Sequence, residues 1–488
     1  LEYLHGAYSQ ARTAGSRASQ TGQSAFVYVG TAPVHTLAGG GSVNKPVLVK
    51  DIAGAKRLLG YSDDWASYTL CEAMKAHFEE NGVGPLVMIN VLDPEKHRSQ
   101  EEKSVSVTPV GGQAVIVNGE NIILDTVAVA GKTLGEDYTI AYDLKRESVV
   151  LSQLKSGGLG TEALNITYKE IDPSKVTVEE LIGASDGAGL NTGLYAIKNV
   201  YQETGYIPSF LLAPGFSNMP NVHEAMNQAR KKVNGHWNAY LFADMPIMDG
   251  ETNLTLATAA KWKNENGYNL DDEKVFFPLV EGTDGRIYHL SVLAAANMQS
   301  LLVKQQGIPY NSVSNTDCPM IKNIYLGEDS RGRVYDDELI NNTLNANGIT
   351  SAAYVGGRWA TWGAHAASYS QDSQDMISVA DTNMMMLYYL GNDFQHRRPH
   401  NVDKPMTAND VKAIVAEEQA RLDALIKGGM LIYGTARVDM DSDALSDMMT
   451  GDFKLIMEVG TTPLCKSLTA VFSWTDAGLE AYYAQLAQ

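Results

Sequence analysis

Cysteine is scarce: Cys71, Cys318 and Cys465 are the only three in 488 residues. Their wide spacing argues against a disulfide framework or a metal-ligand pattern and suits buried thiols in a reducing compartment. Positive charge is short as well. Lys and Arg number 38 against 57 Asp and Glu, a formal net charge of -19, and no Lys/Arg cluster is dense enough to displace counterions from phosphates. No direct nucleic-acid contact is therefore expected. Long apolar runs are also missing. Nothing approaches the ~18 residues that suggest a membrane span, and Leu1-Glu2-Tyr3-Leu4-His5-Gly6 lacks the charged region and apolar core of a signal peptide. We expect a soluble protein with no membrane insertion. Phenylalanine is the rarer aromatic, 10 against 24 Tyr, and rings that keep one polar end suit surfaces that become interfaces.

The most informative absence lies in residues 206–311. Apolar runs at Phe210-Leu211-Leu212-Ala213, Ala239-Tyr240-Leu241-Phe242 and Val275-Phe276-Phe277 are short, β-rich and closed by Pro, Gly or Asp, so they read as buried strands. Residues 221–233 and 254–266 recur between them with helical spacing. The order strand, helix, strand, helix, strand predicts a parallel α/β sheet. Such sheets bind ligands at the carboxyl ends of their strands. Here those ends read Ala213-Pro214-Gly215-Phe216, Ala243-Asp244-Met245-Pro246 and Leu279-Val280-Glu281-Gly282, with no phosphate loop, no GxGxxG and no nucleophile elbow. A large α/β chain with plain strand ends points to a protein that works through its surfaces, without a cofactor.

At this length two to four domains are the natural expectation. Residues 1–22 are small and polar with no periodic apolar face, and read as an arm. Residues 23–99 open the core, with strands at 24–30 and 85–91 and helices at 50–59 and 65–80. From Ser104 the pattern has period two, with an Asn118-Gly119 turn signal, so 100–172 reads as an inserted antiparallel β domain. The α/β core resumes over 173–370. Residues 371–488 read as an α+β C-terminal domain. Its helix at 408–427 has Thr407 as N-cap and Gly428-Gly429 as stop, and β-type runs follow at 430–438, 453–459 and 468–474. A short tail has helical character at 479–486.

Several constellations were weighed as chemistry. Gly183-Ala184-Ser185-Asp186-Gly187 matches GxSxG, but a helix precedes it where an elbow needs a strand, so we read a turn. Asp244, His289 and Ser312 supply subtilisin order and nothing more. Asp244, Asp249, Glu281 and Asp284 all follow strand ends and could hold Mg²⁺, which keeps a metal-dependent α/β hydrolase as the alternative function. Solvated loop acids are the plainer reading, and no metal site is assigned. His396-Arg397-Arg398-Pro399-His400 suits salt bridges to an acidic neighbour better than a metal. Met384-Met385-Met386 reads as helix core, with a Met-rich binding face second.

Taken together, several segments resemble the tail sheath proteins of contractile phage tails, R-type tailocins and related contractile injection systems. Tyr3-Leu4-His5-Gly6 resembles the family's N-terminal arm, and the stretch from Ile182 through Asn191-Thr192-Gly193-Leu194-Tyr195-Ala196 its re-entry into the core. Ile207-Pro208-Ser209-Phe210-Leu211-Leu212-Ala213-Pro214 is similar to the first strand of its subtilisin-like domain, and Leu344-Asn345-Ala346-Asn347-Gly348-Ile349 to its helix end. Residues 407–427, 431–437 and 453–459 are similar to its C-terminal domain. The resemblance spans nearly the whole chain apart from the β insertion. It implies a subtilisin-like topology without a working triad, and a non-enzymatic subunit of stacked hexameric rings around an inner tail tube. It also implies partners at the baseplate and tail terminator, assembly in the bacterial cytoplasm and residence in the virion or tailocin tail. Arm contacts between subunits would involve Tyr3, Leu4, His5, Leu468, Ala470 and Phe472, with Arg397 and Arg398 as candidate charge contacts. A non-contractile self-assembling tube or shell protein remains a third reading.

Overall fold

The segment Ser24–Gly30 is apolar on both faces, which suits only a strand covered on both sides. In the computed structural model, which describes residues 24–372, 375–440 and 444–486, this segment lies inside an eight-stranded sheet. We number the strands of that sheet in chain order: β1 (Ser24–Gly30), β2 (Pro46–Val49), β3 (Leu86–Asn90), β4 (Ile207–Leu212), β5 (Tyr240–Asp244), β6 (Glu273–Phe276), β7 (Ile349–Val355) and β8 (Arg358–Trp362). The spatial order is β8-β7-β6-β5-β4-β1-β3-β2. Inner neighbours are all parallel, and only the edge pairs β2–β3 and β7–β8 are antiparallel. The expected parallel α/β sheet is present.

Helices Pro220–Ala229 and Leu256–Glu265 follow β4 and β5 as crossovers. Helix Leu290–Lys304 is buried around most of its circumference, from Leu290 through Met298, because its Ala-rich surface leaves little room for solvent on any side. The helix expected over 65–80 starts later, at Leu70, and widens into a π turn over Lys75–Glu80. The short side chains of Ser62 and Asp64 accept from the amides of Asp64 and Ser67, holding a turn that competes with the helix.

Between β3 and β4, strands Lys103–Val107, Gln113–Ile116, Ala128–Val129, Tyr138–Asp143, Ser148–Gln153 and Leu164–Tyr168 pair antiparallel in two three-stranded sheets. They enclose a separate apolar cluster that includes Ile116, Tyr138, Val149, Leu151 and Ile166. The two chain crossings into this segment are tied together. Ser99 N donates to Glu170 O at 2.8 Å and Asp172 N to His97 O at 2.7 Å. His97 Nδ1 accepts from Asp93 N, so its Nε2–H donates to Glu180 Oε2 at 2.8 Å, and Glu180 also closes the capping box of helix Val178–Ile182 with Thr177.

Helix Ala408–Lys427 begins with a Thr407/Asp410 capping box and stops at Gly428, with Gly429 at φ +73°. It covers one face of a two-stranded hairpin, Leu431–Val438 with Leu455–Thr461. Gly434 permits the close approach: a Cβ there would stand 3.0 Å from that of Leu422. The strand expected over 468–474 does not form. Leu468, Val471, Phe472 and Trp474 are 93, 85, 94 and 86% exposed, since no edge among the described residues pairs with them.

Candidate functional site

Asp244 ends β5 where an α/β enzyme would keep its chemistry. It is buried, its Oδ1 accepts from Ser291 N at 3.1 Å, and its Oδ2 accepts from Ser291 Oγ. Burial raises its carboxyl pKa above the usual range, against the opposing pull of His289 and the Ser291 bonds. His289 caps helix Leu290–Lys304; its Nδ1 lies 2.7 Å from Glu72 Oε2 and its amide donates to Glu72 Oε1 at 2.6 Å. Burial works against its charge, but Glu72 and then Asp244 outweigh it and lift the imidazole to about 9. Two members of the Asp244, His289, Ser312 triple thus come together. The third does not: Ser312 Oγ donates to Asp381 Oδ2 at 2.7 Å. Ser291 stands nearby, but its hydroxyl donates to the Asp244 carboxylate and not to the His289 imidazole, so the serine–histidine pair of a triad does not form. The cluster is a clasp that fastens a helix start to the sheet.

The other strand-end acids go separate ways. Asp249 sits exposed on the small hairpin of Met248–Asp249 with Thr252–Asn253. Glu281 pairs with Lys322 and Arg331, each at 3.0 Å, and Asp284 accepts from Tyr288 OH at 2.9 Å. Among the described residues no three His, Cys, Asp or Glu side chains gather as a ligand set. The hydrolase reading required convergence, whereas Asp244, Glu281 and Asp284 bond separate partners and Asp249 is exposed on its hairpin. At the GxSxG turn, Gly183 has φ +69° and a Cβ there would fall 2.0 Å from Thr192 O. Glycine is demanded by the backbone, and Ser185 is an exposed turn residue.

These buried histidines set a pH dependence. His289 is raised in the fold, so its contribution is complete below the unfolded value near 6.5 and is lost as pH climbs through about 9. Burial lowers His35, His77 and His365 to about 4. His77, for instance, is held neutral between Tyr28 OH and Gln299 Oε1, each at 2.6 Å. Below pH 6.5 the unfolded chain takes up protons that these three refuse, so stability falls toward pH 4. Melting temperature is expected to peak near pH 6.5. His289→Gln should flatten the alkaline limb and His77→Gln should soften the acid limb, by at most about 3 kcal/mol for each group. A flat profile in the parent chain would contradict both assignments.

Arg397 and Arg398, expected at a subunit contact, are engaged within their own chain. Arg397 grips Glu418 with both Nη atoms, at 2.9 and 2.8 Å. Arg398 reaches Glu418 and, at 2.8 Å, Glu417, while Arg421 and Arg397 share Asp393. Burial pushes the Glu418 pKa up, and the two guanidiniums outweigh it and hold it low. The cluster locks helix Asp381–Arg397 to helix Ala408–Lys427.

The surface that stays open is at the C-terminal hairpin. Among the described residues, its two strands pair only with each other. On the outer edge of Leu431–Val438 the Gln419 amide donates to Gly434 O at 3.0 Å and accepts from Ala436 N at 2.9 Å, while the outer edge of Leu455–Thr461 has no strand beside it among the described residues. The chain after it is anchored by Thr462 Oγ1 to Gly429 O at 2.7 Å and by Lys466 Nζ to Tyr369 OH at 2.9 Å. It then leaves the body. Leu468, Ala470 and Phe472 are all exposed, and helix Leu479–Leu486 also exposes Leu479, Tyr482, Tyr483 and Leu486. Tyr3, Leu4 and His5 lie outside the described residues.

No family model matches the chain. Its sequence is 26% identical to the tail sheath protein of Burkholderia phage BcepMu over 491 aligned positions, covering 96% of each chain. It is 24% identical to the major tail sheath protein of Serratia phage KSP20 over 324 positions, 64% of this chain and 76% of that one. Its fold is similar to the sheath subunit of the PVC extracellular contractile injection system in the contracted state, with a TM-score of 0.56, 10% identity, and 98 and 99% of the two chains covered. Matched along nearly its full length by a phage tail sheath protein and similar in fold to a contractile sheath, the chain is similar to the contractile tail sheath family, and these comparisons support that family for it.

Proposed function

We propose that this chain is the structural subunit of a contractile sheath, with copies stacked as hexameric rings around an inner tail tube and shortening to drive that tube through a host envelope. The observation that carries this reading is a two-stranded hairpin with no third strand among the described residues, beside an arm whose apolar residues find no cover. Each has what the other lacks, and an arm from one copy can complete the sheet of another. Leu468, Ala470 and Phe472 would supply one added strand, and Tyr3, Leu4 and His5 another. Contacts of this head-to-tail kind propagate as filaments. Contraction would be a switch between two packings of the same subunits, with free energy stored at assembly and no nucleotide consumed.

In this reading residues 23–99 and 173–370 form the core, of subtilisin-like topology, 100–172 an inserted β domain, and 371–488 the meshing unit. The tube, the baseplate and the tail terminator would be the partners, in a virion or tailocin tail assembled in the bacterial cytoplasm. Negative-stain electron microscopy of the full chain at high concentration is expected to show hollow striated cylinders of two diameters. Cylinders of one diameter under every condition would rule out contraction. Failure to form cylinders even on added inner tubes would rule out the sheath.

A further inference from the structure

The main sheet carries opposite charge on its two flanks. On one flank Lys45 leads into the edge strand β2, and Arg57 lies on helix Ile52–Leu59, which packs against that strand. Both side chains are exposed, and within the described residues neither meets an acidic partner. They border an open cavity of about 520 Å³ whose lining includes Gly40, Gly41 and Ser42. A Cβ at Gly41 would stand 2.7 Å from Val34 Cγ1, and the acid nearby, Asp125, is engaged by Gly39 N at 2.9 Å.

The other flank is acidic. Helix Asp337–Thr343 packs against β7, and Asp336, Asp337 and Glu338 at its start are all exposed. Asp336 accepts from Leu339 N at 2.8 Å, whereas Asp337 and Glu338 meet no basic partner among the described residues. The nearby cations are occupied: Arg331 holds Glu281 and Glu328, and Arg333 Nε donates to Asp329 O at 3.1 Å. Val334, at 91% exposure, marks this loop as a projecting tip.

Copies of a chain with net charge -19 repel one another at long range, so close packing needs local patches of opposite sign. We propose that the cavity beside Lys45 and Arg57 in one copy receives the Asp337/Glu338 tip of a second copy. The contact joins opposite flanks of the sheet and is therefore head to tail. Being exposed, it is screened by salt. The inference rests on the sheath reading above.

The test is the lowest protein concentration at which cylinders form, followed by pelleting and electron microscopy. Lys45→Glu with Arg57→Glu should raise it about tenfold, as should Asp337→Lys with Glu338→Lys, and all four together should bring it back near the parent value. Melting temperature should stay at the parent value throughout. Should a reversal disturb folding, Lys45→Gln with Arg57→Gln removes the charges more gently and should move assembly in the same direction. Parent-like assembly by either double variant, or failure of the fourfold variant to recover, overturns the pairing. A parent chain that forms no cylinders at all would instead count against the sheath reading.

Discussion

Truncation after Ser467 should leave a folded monomer with the melting temperature of the full chain and no capacity to form cylinders. The removed residues include Leu468, Val471, Phe472 and Trp474, each at least 85% exposed, so almost no buried area is lost from the subunit. The anchors at Thr462 and Lys466 remain. What disappears is the strand that a neighbouring hairpin needs, and an edge left unpaired gives no continuous mesh. Removal of residues 1–19 should act in the same way on the other edge. Circular dichroism melts with electron microscopy decide the matter. Normal cylinders from either truncated chain would show that arm exchange does not hold the sleeve together.

A second large effect is expected at the junction of the core with the C-terminal unit. Lys274 on β6 lies 2.6 Å from Asp381, the first residue of helix Asp381–Arg397, and both side chains are fully buried. Lys274 also donates to Gly363 O at 2.7 Å, and Ser312 to Asp381. Burial lowers the Lys274 pKa and Asp381 resists that, so the ammonium depends on its partner. Asp381→Ala should destabilise the protein by about 3–5 kcal/mol in urea denaturation, because it strands a buried charge. Adding Lys274→Met should recover most of that loss, since a well-packed apolar pair of similar volume is tolerated. If the double variant were as unstable as Asp381→Ala alone, the stranded charge would not be the cause. The same pair carries a mechanical role, because it fixes the helix that bears the C-terminal unit to the sheet of the core.

The sequence was most legible where local pattern and final structure coincide. The strand-helix alternation over 206–311, the capping box at Thr407 and the antiparallel run after Ser104 all depend on residues close in the chain. Sheet order did not follow from such signals, because β1 lies between β4 and β3 through pairings of residues far apart in the chain, such as Ser24 with Ile207 and Phe26 with Leu86. Arg397 and Arg398 were recognised as ion-pair formers, but their partners Glu417 and Glu418 lie on another helix and were not identified. Chain order alone offers Ser312 beside Asp244 and His289 and says nothing of contact; in the fold Asp244 bonds Ser291 and Ser312 bonds Asp381. Glu72 carried a usable sign, a lone acid in the apolar run Leu70-Cys71-Glu72-Ala73-Met74, and it turned out to face His289. The run at 468–474 has strand composition without a strand, since pairing is a property of two segments and no second one meets it among the described residues.

The three thiols differ in a way that bears on how motion in this protein can be followed. Cys71 and Cys318 are buried, and burial raises both to about 12, which keeps them protonated and unreactive toward maleimides. Cys465 alone is exposed, one residue before the Lys466 anchor where the arm departs. A fluorophore can therefore be placed at the root of the arm in the native sequence, with no engineered cysteine. Energy transfer between such labels on mixed donor and acceptor subunits would report the spacing of arm roots along a sleeve.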